Sequence, residues 1–163
     1  MKSVLIVYHS ATGGTLQMAE AAATGARREA GVTVRLEAAA TTGPQALLDA
    51  DGYIFACPEN LAAMSGVMKD FFDRTYYAAL DRLQGRAYAI LICAGSDGTN
   101  AARQIERIAT GWRLRDIAPP LIVCTHAQTP EEILRSKRIE AQDLARCEEI
   151  GATLAAGLAL GIF

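Results

Sequence analysis

Five short runs of strand-forming residues punctuate the chain, and the stretches between them carry helical spacing; no other feature narrows the accessible folds so far. The runs are SVLIVYH (residues 3–9), VTVRLEA (32–38), GYIFACP (52–58), AYAILICAG (87–95) and PPLIVCTH (119–126). Three are apolar nearly throughout, as in strands covered on both faces of a parallel sheet, whereas VTVRLEA alternates and suits an edge. Helices are expected over residues 14–29, 62–83, 100–114 and 136–160, with 41–44 as a short loop. In the second helix Met64, Val67, Met68, Phe71, Phe72, Tyr76 and Leu80 recur at i, i+3 and i+4, marking one apolar face. This alternation predicts a three-layer, doubly wound α/β sandwich built on a five-stranded parallel sheet with right-handed crossovers. At 163 residues the chain suits one sizeable core, so a single domain over residues 1–163 is expected.

Composition removes several classes of function. A net charge of -2 and a pI near 5.7 provide no basic field for nucleic acid or an anionic membrane. The start runs from Lys2 straight into a strand-like run with no signal segment, and the uncharged stretch 150–163 is shorter than the ~20 residues a bilayer span needs, so it reads as a buried helix end. Four cysteines at wide spacing, with no CxxC pair, suit a reducing cytoplasm better than a disulfide framework or a metal site.

The first strand ends in Ser10, Ala11, Thr12, Gly13, Gly14 and Thr15, which lead into the first helix. In a doubly wound sheet ligands sit beyond the carboxyl ends of the strands, and here backbone N–H groups and the positive end of a helix dipole converge on one spot. An anion belongs there, with glycines allowing close approach and the hydroxyls of Ser10, Thr12 and Thr15 donating to it. The spacing is neither that of a dinucleotide fingerprint nor that of a nucleoside-triphosphate loop, and no Lys or Arg lies between Lys2 and Arg27, which points to a terminal monophosphate held by neutral donors. The competing reading is a helix cap in which Thr12 or Thr15 satisfies the helix's own amides.

Ser10 to Thr15 resemble the Ser/Thr-x-Thr-Gly-x-Thr phosphate loop of flavodoxins and of flavodoxin-like NAD(P)H-dependent FMN and quinone reductases. CPENLAAMSGVMKDFFDR (residues 57–74) is similar to the reductases' segment after the third strand, with Gly66, Lys69, Phe72, Asp73 and Arg74 on its pattern, and CAGSDGTNAARQIERIA (93–109) resembles the loop after the fourth. The resemblance implies the flavodoxin-like fold, strand order 2-1-3-4-5, with FMN across the carboxyl ends of the strands. It implies that Ser10, Thr12, Gly13, Gly14 and Thr15 hold the phosphate, that Pro58, Glu59, Asn60 and Leu61 line the isoalloxazine ring, and that Gly95, Ser96, Asp97 and Gly98 form its other wall. NAD(P)H would be the electron donor and a flavin or quinone-like molecule the acceptor; the alternative is a flavodoxin-type carrier between protein partners. The loops beside the ring have no aromatic residue and the chain is nearly balanced in charge, which favours the enzyme.

Catalysis in such a site is largely positional, and no residue stands out as acid or base. Backbone amides near Asn60 and Ser96 to Gly98 are candidate donors to the ring. Asp97 reads equally as a turn residue, and Glu59 either orients a substrate or is solvated. His9 and His126, at strand ends, serve as a base or in packing; Cys57, Cys93 and Cys124 fall near neighbouring strand ends, where buried cysteines behave as small hydrophobes. Lys69 and Asp73 have the spacing of a surface ion pair, Trp112 suits packing or a subunit contact, and apolar helix faces suggest a homodimer or larger assembly.

Overall fold

A computed structural model describes residues 1–163. The elements follow as β1 (Lys2–Tyr8), α1 (Gly14–Ala26), β2 (Val32–Ala38), α2 (Pro44–Leu48), β3 (Gly52–Asn60), β4 (Ala63–Met64), α3 (Gly66–Ala79), β5 (Ala87–Ala94), α4 (Thr99–Gly111), β6 (Arg115–Asp116), β7 (Leu121–Cys124), α5 (Pro130–Leu134) and α6 (Ala141–Ala159). The sheet runs β2-β1-β3-β5, and both β6 and β7 pair with the far edge of β5, every pair parallel. Counting β6 and β7 as one position gives the expected order 2-1-3-4-5. That fifth position is broken because Pro119 and Pro120, between the two pieces, have no N–H to donate to a ladder. VTVRLEA is the opposite edge, paired to β1 alone.

Three boundaries differ from the sequence reading. The loop at 41–44 opens a short helix, α2, with Pro44 in its first turn, where a missing N–H costs nothing. The helix expected from residue 62 starts at Gly66, because β3 first turns back on itself as β4, pairing Glu59 with Met64 and Asn60 with Ala63. The long helix expected over 136–160 is confined to α6, and α5 precedes it. The signal for α5 was present as Thr129-x-x-Glu132, whose side chains and amides form a reciprocal capping box.

Strand side chains alternate between two cores. Leu5 and Val7, Tyr53, Phe55 and Cys57, and Tyr88, Ile90 and Ile92 face α3 and α4 in an aromatic core where Phe55 meets Phe71, Phe72 and Trp112. Val4 and Ile6, Ile54 and Ala56, and Ala87, Ala89, Leu91 and Cys93 face α1 and α6, where small residues dominate. Trp112 belongs to packing: it is 1% exposed, stacks on Tyr76 and donates from Nε1 to the Tyr76 carbonyl at 3.0 Å. The Lys69–Asp73 pair forms on the helix surface at 2.6 Å, and Cys147 is buried in the second core.

The small residues let α1 and α6 approach until backbones touch. A Cβ on Gly25 would collide with the Glu148 carbonyl, and one on Gly151 with that of Ala22. Arg28 and Glu148 join the same two helices by an ion pair at the surface. Gly151→Ala tests this contact. Alanine gains about 1 kcal/mol in helix propensity, but a collision with backbone cannot be relieved by a rotamer change, and we expect a net loss of about 2 kcal/mol or more in urea unfolding.

Candidate functional site

A cleft of about 600 Å³ opens beyond the carboxyl ends of the strands. Of the residues expected from the sequence, Thr12, Pro58, Glu59, Asn60, Leu61, Gly95 and Ser96 line it. Ser10, Gly13, Gly14 and Thr15 lie at the adjoining base of α1, while Asp97 and Gly98 stand outside the cleft wall. The chain also contributes a segment that the sequence reading left unassigned: Thr125, Ala127 and Gln128 after β7, Ile133 and Leu134 of α5, and Lys137.

At the start of α1 the backbone amides of Ala11, Thr12, Gly14, Thr15 and Leu16 have no acceptor within the protein, and no side chain caps the helix. Ser10 Oγ accepts from the Gly13 amide at 3.2 Å, which shapes the loop. Thr15 is 1% exposed, and its hydroxyl is buried without a hydrogen-bond partner. An unsatisfied buried hydroxyl costs about 1–3 kcal/mol, so this group, beside a fan of free amides, fits a phosphate group and contradicts the helix-cap reading. Gly13 sits at φ 91, a left-handed conformation that favours glycine. Gly14 is glycine for a reason the sequence did not reveal. A Cβ there would meet Cys93 Sγ at 2.7 Å, Lys137 Cβ at 3.3 Å and Ile139 Cδ1 at 3.4 Å, so it must be small to let β5 and residues 137–139 pack against α1.

Residues 137–139 run along the loop as a strap. The Lys137 amide donates to the Thr12 carbonyl at 2.8 Å, Gln17 Nε2 donates to the Lys137 carbonyl at 2.8 Å, and the Ile139 amide donates to Gln17 Oε1 at 3.0 Å. Lys137 Nζ donates to the carbonyls of Glu132, Ile133 and Arg135, closing the end of α5. The sequence reading found no cation near the loop because this one arrives from far along the chain.

The ring-flanking segments are stitched to α4. The Gly98 amide donates to Glu59 Oε2 at 2.7 Å, Asn100 Nδ2 to the Ala62 carbonyl at 2.7 Å, and the Met64 amide to Gln104 Oε1 at 2.9 Å. One oxygen of Glu59 is therefore held by the protein, with Oε1 left without a protein partner, and the Gly98 amide is not a free donor to a ring. The amides of Gly95, Ser96 and Asp97 remain without acceptors. These bonds hold Leu61 and Ala62 at φ 50 and 63, a strained left-handed turn for residues with a Cβ. Asp97 acts as a turn residue: its carboxylate accepts from the Thr99 hydroxyl and amide, which lowers its pKa.

His9 takes a packing role. Its Nδ1 lies 2.8 Å from Ser65 Oγ, and its amide donates to the Ala56 carbonyl. Burial holds its pKa below the ordinary 6.5. The His126 amide donates to the Gly95 carbonyl at 2.8 Å, tying the loop after β7 to the loop after β5. Burial pushes the thiols of Cys57 and Cys93 up to about 11, leaving them protonated and unreactive at neutral pH.

Residues 37–129, more than half of the chain, match the family described as NADPH-dependent FMN reductase. The match includes the segments at 58–61 and 95–98; the loop at 10–15 precedes it. A curated relative named flavodoxin, from Aquifex aeolicus, is 41% identical over 73 residues, covering 45% of this chain and 40% of the relative. A protein named NAD(P)H dehydrogenase (quinone), from Acidithiobacillus ferrooxidans, is 35% identical over 95 residues, covering 46% of this chain and 48% of the relative. The chain thus spans about half the length of the curated relatives it matches. Among solved structures, a flavodoxin from the domain Archaea superimposes with a TM-score of 0.80 over 96% of this chain and 98% of that one at 22% identity, which shows the flavodoxin-like fold. No helix is long and apolar enough to cross a membrane.

The His9 environment predicts a pH dependence. Its folded pKa lies below 6.5, so between the two values the unfolded chain binds more protons than the folded one. The contribution is fully present above 6.5 and is lost as pH falls through 6.5 toward the folded pKa. Urea unfolding should show stability declining over that window, and His9→Asn should reduce the slope.

Proposed function

Because the chain belongs to the NADPH-dependent FMN reductase family, we propose that it is an FMN-binding oxidoreductase that uses NAD(P)H to reduce a flavin or quinone-like acceptor. The observation that carries the reading is the buried, unpartnered Thr15 hydroxyl beside the free amides of Ala11, Thr12, Gly14 and Leu16. That donor set suits a dianionic terminal phosphate. The cleft has the volume of a cofactor site. When bound, FMN supplies a centre that takes hydride from NAD(P)H and passes two electrons on, so that NAD(P)H, a proton and the acceptor become NAD(P)⁺ and the two-electron-reduced acceptor.

The protein's share is binding and alignment. Ser10, Thr12, Gly13, Gly14 and Thr15 hold the phosphate, with Ser10 and the two glycines shaping the loop and the threonines and amides donating. Pro58, Glu59, Asn60 and Leu61 flank the ring on one side; Gly95 and Ser96 would flank it on the other, where their free amides are candidate donors to its polar edge. Gly98 holds Glu59 rather than the ring. No aromatic side chain covers the cleft, which keeps it open for a second molecule and supports the reductase reading. The similarity to a protein named flavodoxin favours the carrier alternative. The four free thiols support a reducing cytoplasm, two cores on one sheet support a single working domain, and exposed Tyr77, Leu160 and Ile162 support a homodimer or larger assembly.

Thr15→Val tests the phosphate site because it keeps shape and removes only the hydroxyl. Without ligand the variant should be more stable by about 1 kcal/mol, since an unsatisfied buried group disappears. Fluorescence titration should show FMN affinity falling roughly tenfold or more, the worth of one bond to a charged group, with riboflavin affinity unchanged. Equal losses for FMN and riboflavin would place the phosphate elsewhere. Loaded with FMN, the wild type should oxidise NAD(P)H when a quinone or excess flavin is supplied; failure to do so, with electron exchange only to protein partners, would make it a carrier.

A further inference from the structure

Seven large hydrophobic side chains are exposed, and three of them, Leu61, Ile133 and Leu134, line this one cleft. Leu61 is fully exposed at the strained β3–β4 turn; Leu134 is 78% and Ile133 50% exposed on α5. Cys93 and Ala94, by contrast, are 8% and 3% exposed and form the cleft's floor. The apolar trio therefore belongs to the mouth, above whatever occupies the floor. A single scattered surface leucine needs no explanation, whereas three converging on one cleft point to a ligand.

Two further observations describe that ligand. Glu59 and Lys137 are the charged residues in the lining: Lys137 Nζ has its three donors taken by carbonyls of the α5 segment, whereas Glu59 bonds the Gly98 amide through one oxygen and keeps its negative charge. The mouth thus offers apolar contact and a carboxylate, but no cationic donor left for an anion. The trio is also held rigidly. The capping box fixes the start of α5, Lys137 fixes its end and is itself tied to Thr12, and the Asn100 and Gln104 bonds fix the turn that carries Leu61. With their backbone fixed, the aliphatic side chains have only rotamers to settle when they grip a flat ring, which lowers the ordering cost at binding.

We propose that Ile133 and Leu134, together with Leu61, form the platform on which the second substrate's planar ring rests, and that they select an uncharged, quinone-like acceptor over an anionic one. This rests on the reductase reading. α5 is then a specificity element, positioned by a lysine that the sequence does not mark as part of a site.

The test compares neutral menadione with anionic 1,4-naphthoquinone-2-sulfonate on FMN-loaded protein, by calorimetric binding and by KM in NAD(P)H oxidation. Wild type should favour menadione by at least tenfold. Ile133→Ser/Leu134→Ser should bring that ratio near one, chiefly by weakening menadione about tenfold, and Leu134→Ser alone should give an intermediate ratio. Both side chains are exposed, and unfolding curves will verify that the fold is intact. A ratio near one in the wild type, or an unchanged ratio in the double variant, would overturn the proposal, as would loss of FMN binding in that variant, which would assign the pair to the cofactor. If the wild type oxidises no NAD(P)H but its menadione binding still depends on the pair, the platform stands and the reductase reading fails.

Discussion

Burial of both faces of a parallel sheet is the constraint from which the rest of the structure follows. Each strand must return by a helix, so all carboxyl ends point to one edge and every connecting loop there converges on the same cleft. The two faces are closed by different means. Aromatic rings fill the space under α3 and α4, whereas alanines and two glycines let α1 and α6 come into backbone contact. A separate close approach, of Gly14 to Cys93 and Ile139, seats the N-terminus of α1 against the end of β5, and the first loop inherits its position from it.

The loop after β1 is the part of the candidate site that the fold leaves undone. Helix N-termini normally satisfy their first amides with a side chain or water. Here Ser10 shapes the loop instead, several amides are left free, and Thr15 carries a buried hydroxyl with nothing to bond. Such a deficit is tolerable when a ligand supplies the missing acceptors. The opposite strategy governs the ring-flanking segments, where Gly98, Asn100 and Gln104 use protein partners to hold a turn whose Leu61 and Ala62 are strained. One part of the site is unfinished and adaptable to an anion; the other is complete and rigid.

Residues that act locally were legible before folding. The alternating apolar pattern, the small hydroxyl-and-glycine loop, the turn chemistry of Asp97 and the surface pair of Lys69 and Asp73 all depend on neighbours within a few positions, and all four occur in the structure. Gly14 was legible as glycine but not for its reason: space for Cys93 and Ile139 is defined by two elements far along the chain. The bond from the Gly98 amide to Glu59 was not legible, because the two residues are 39 positions apart.

By itself the sequence determined the alternation of the main strands and helices, the small hydroxyl-and-glycine loop after the first strand and the absence of aromatic residues from the segments beside the cleft, because periodicity and residue type are properties of short segments. Only the tertiary structure decided that α1 and α6 meet through glycines, that Lys137 closes α5 beside the first loop, and that Ile133 and Leu134 stand with Leu61 at one mouth. Gln17 and Lys137 are separated by 120 residues, and nothing in either neighbourhood encodes the other. Their contact exists because a sheet buried on both sides brings β1, β5 and β7 to a common edge, where chain distance no longer measures separation in space.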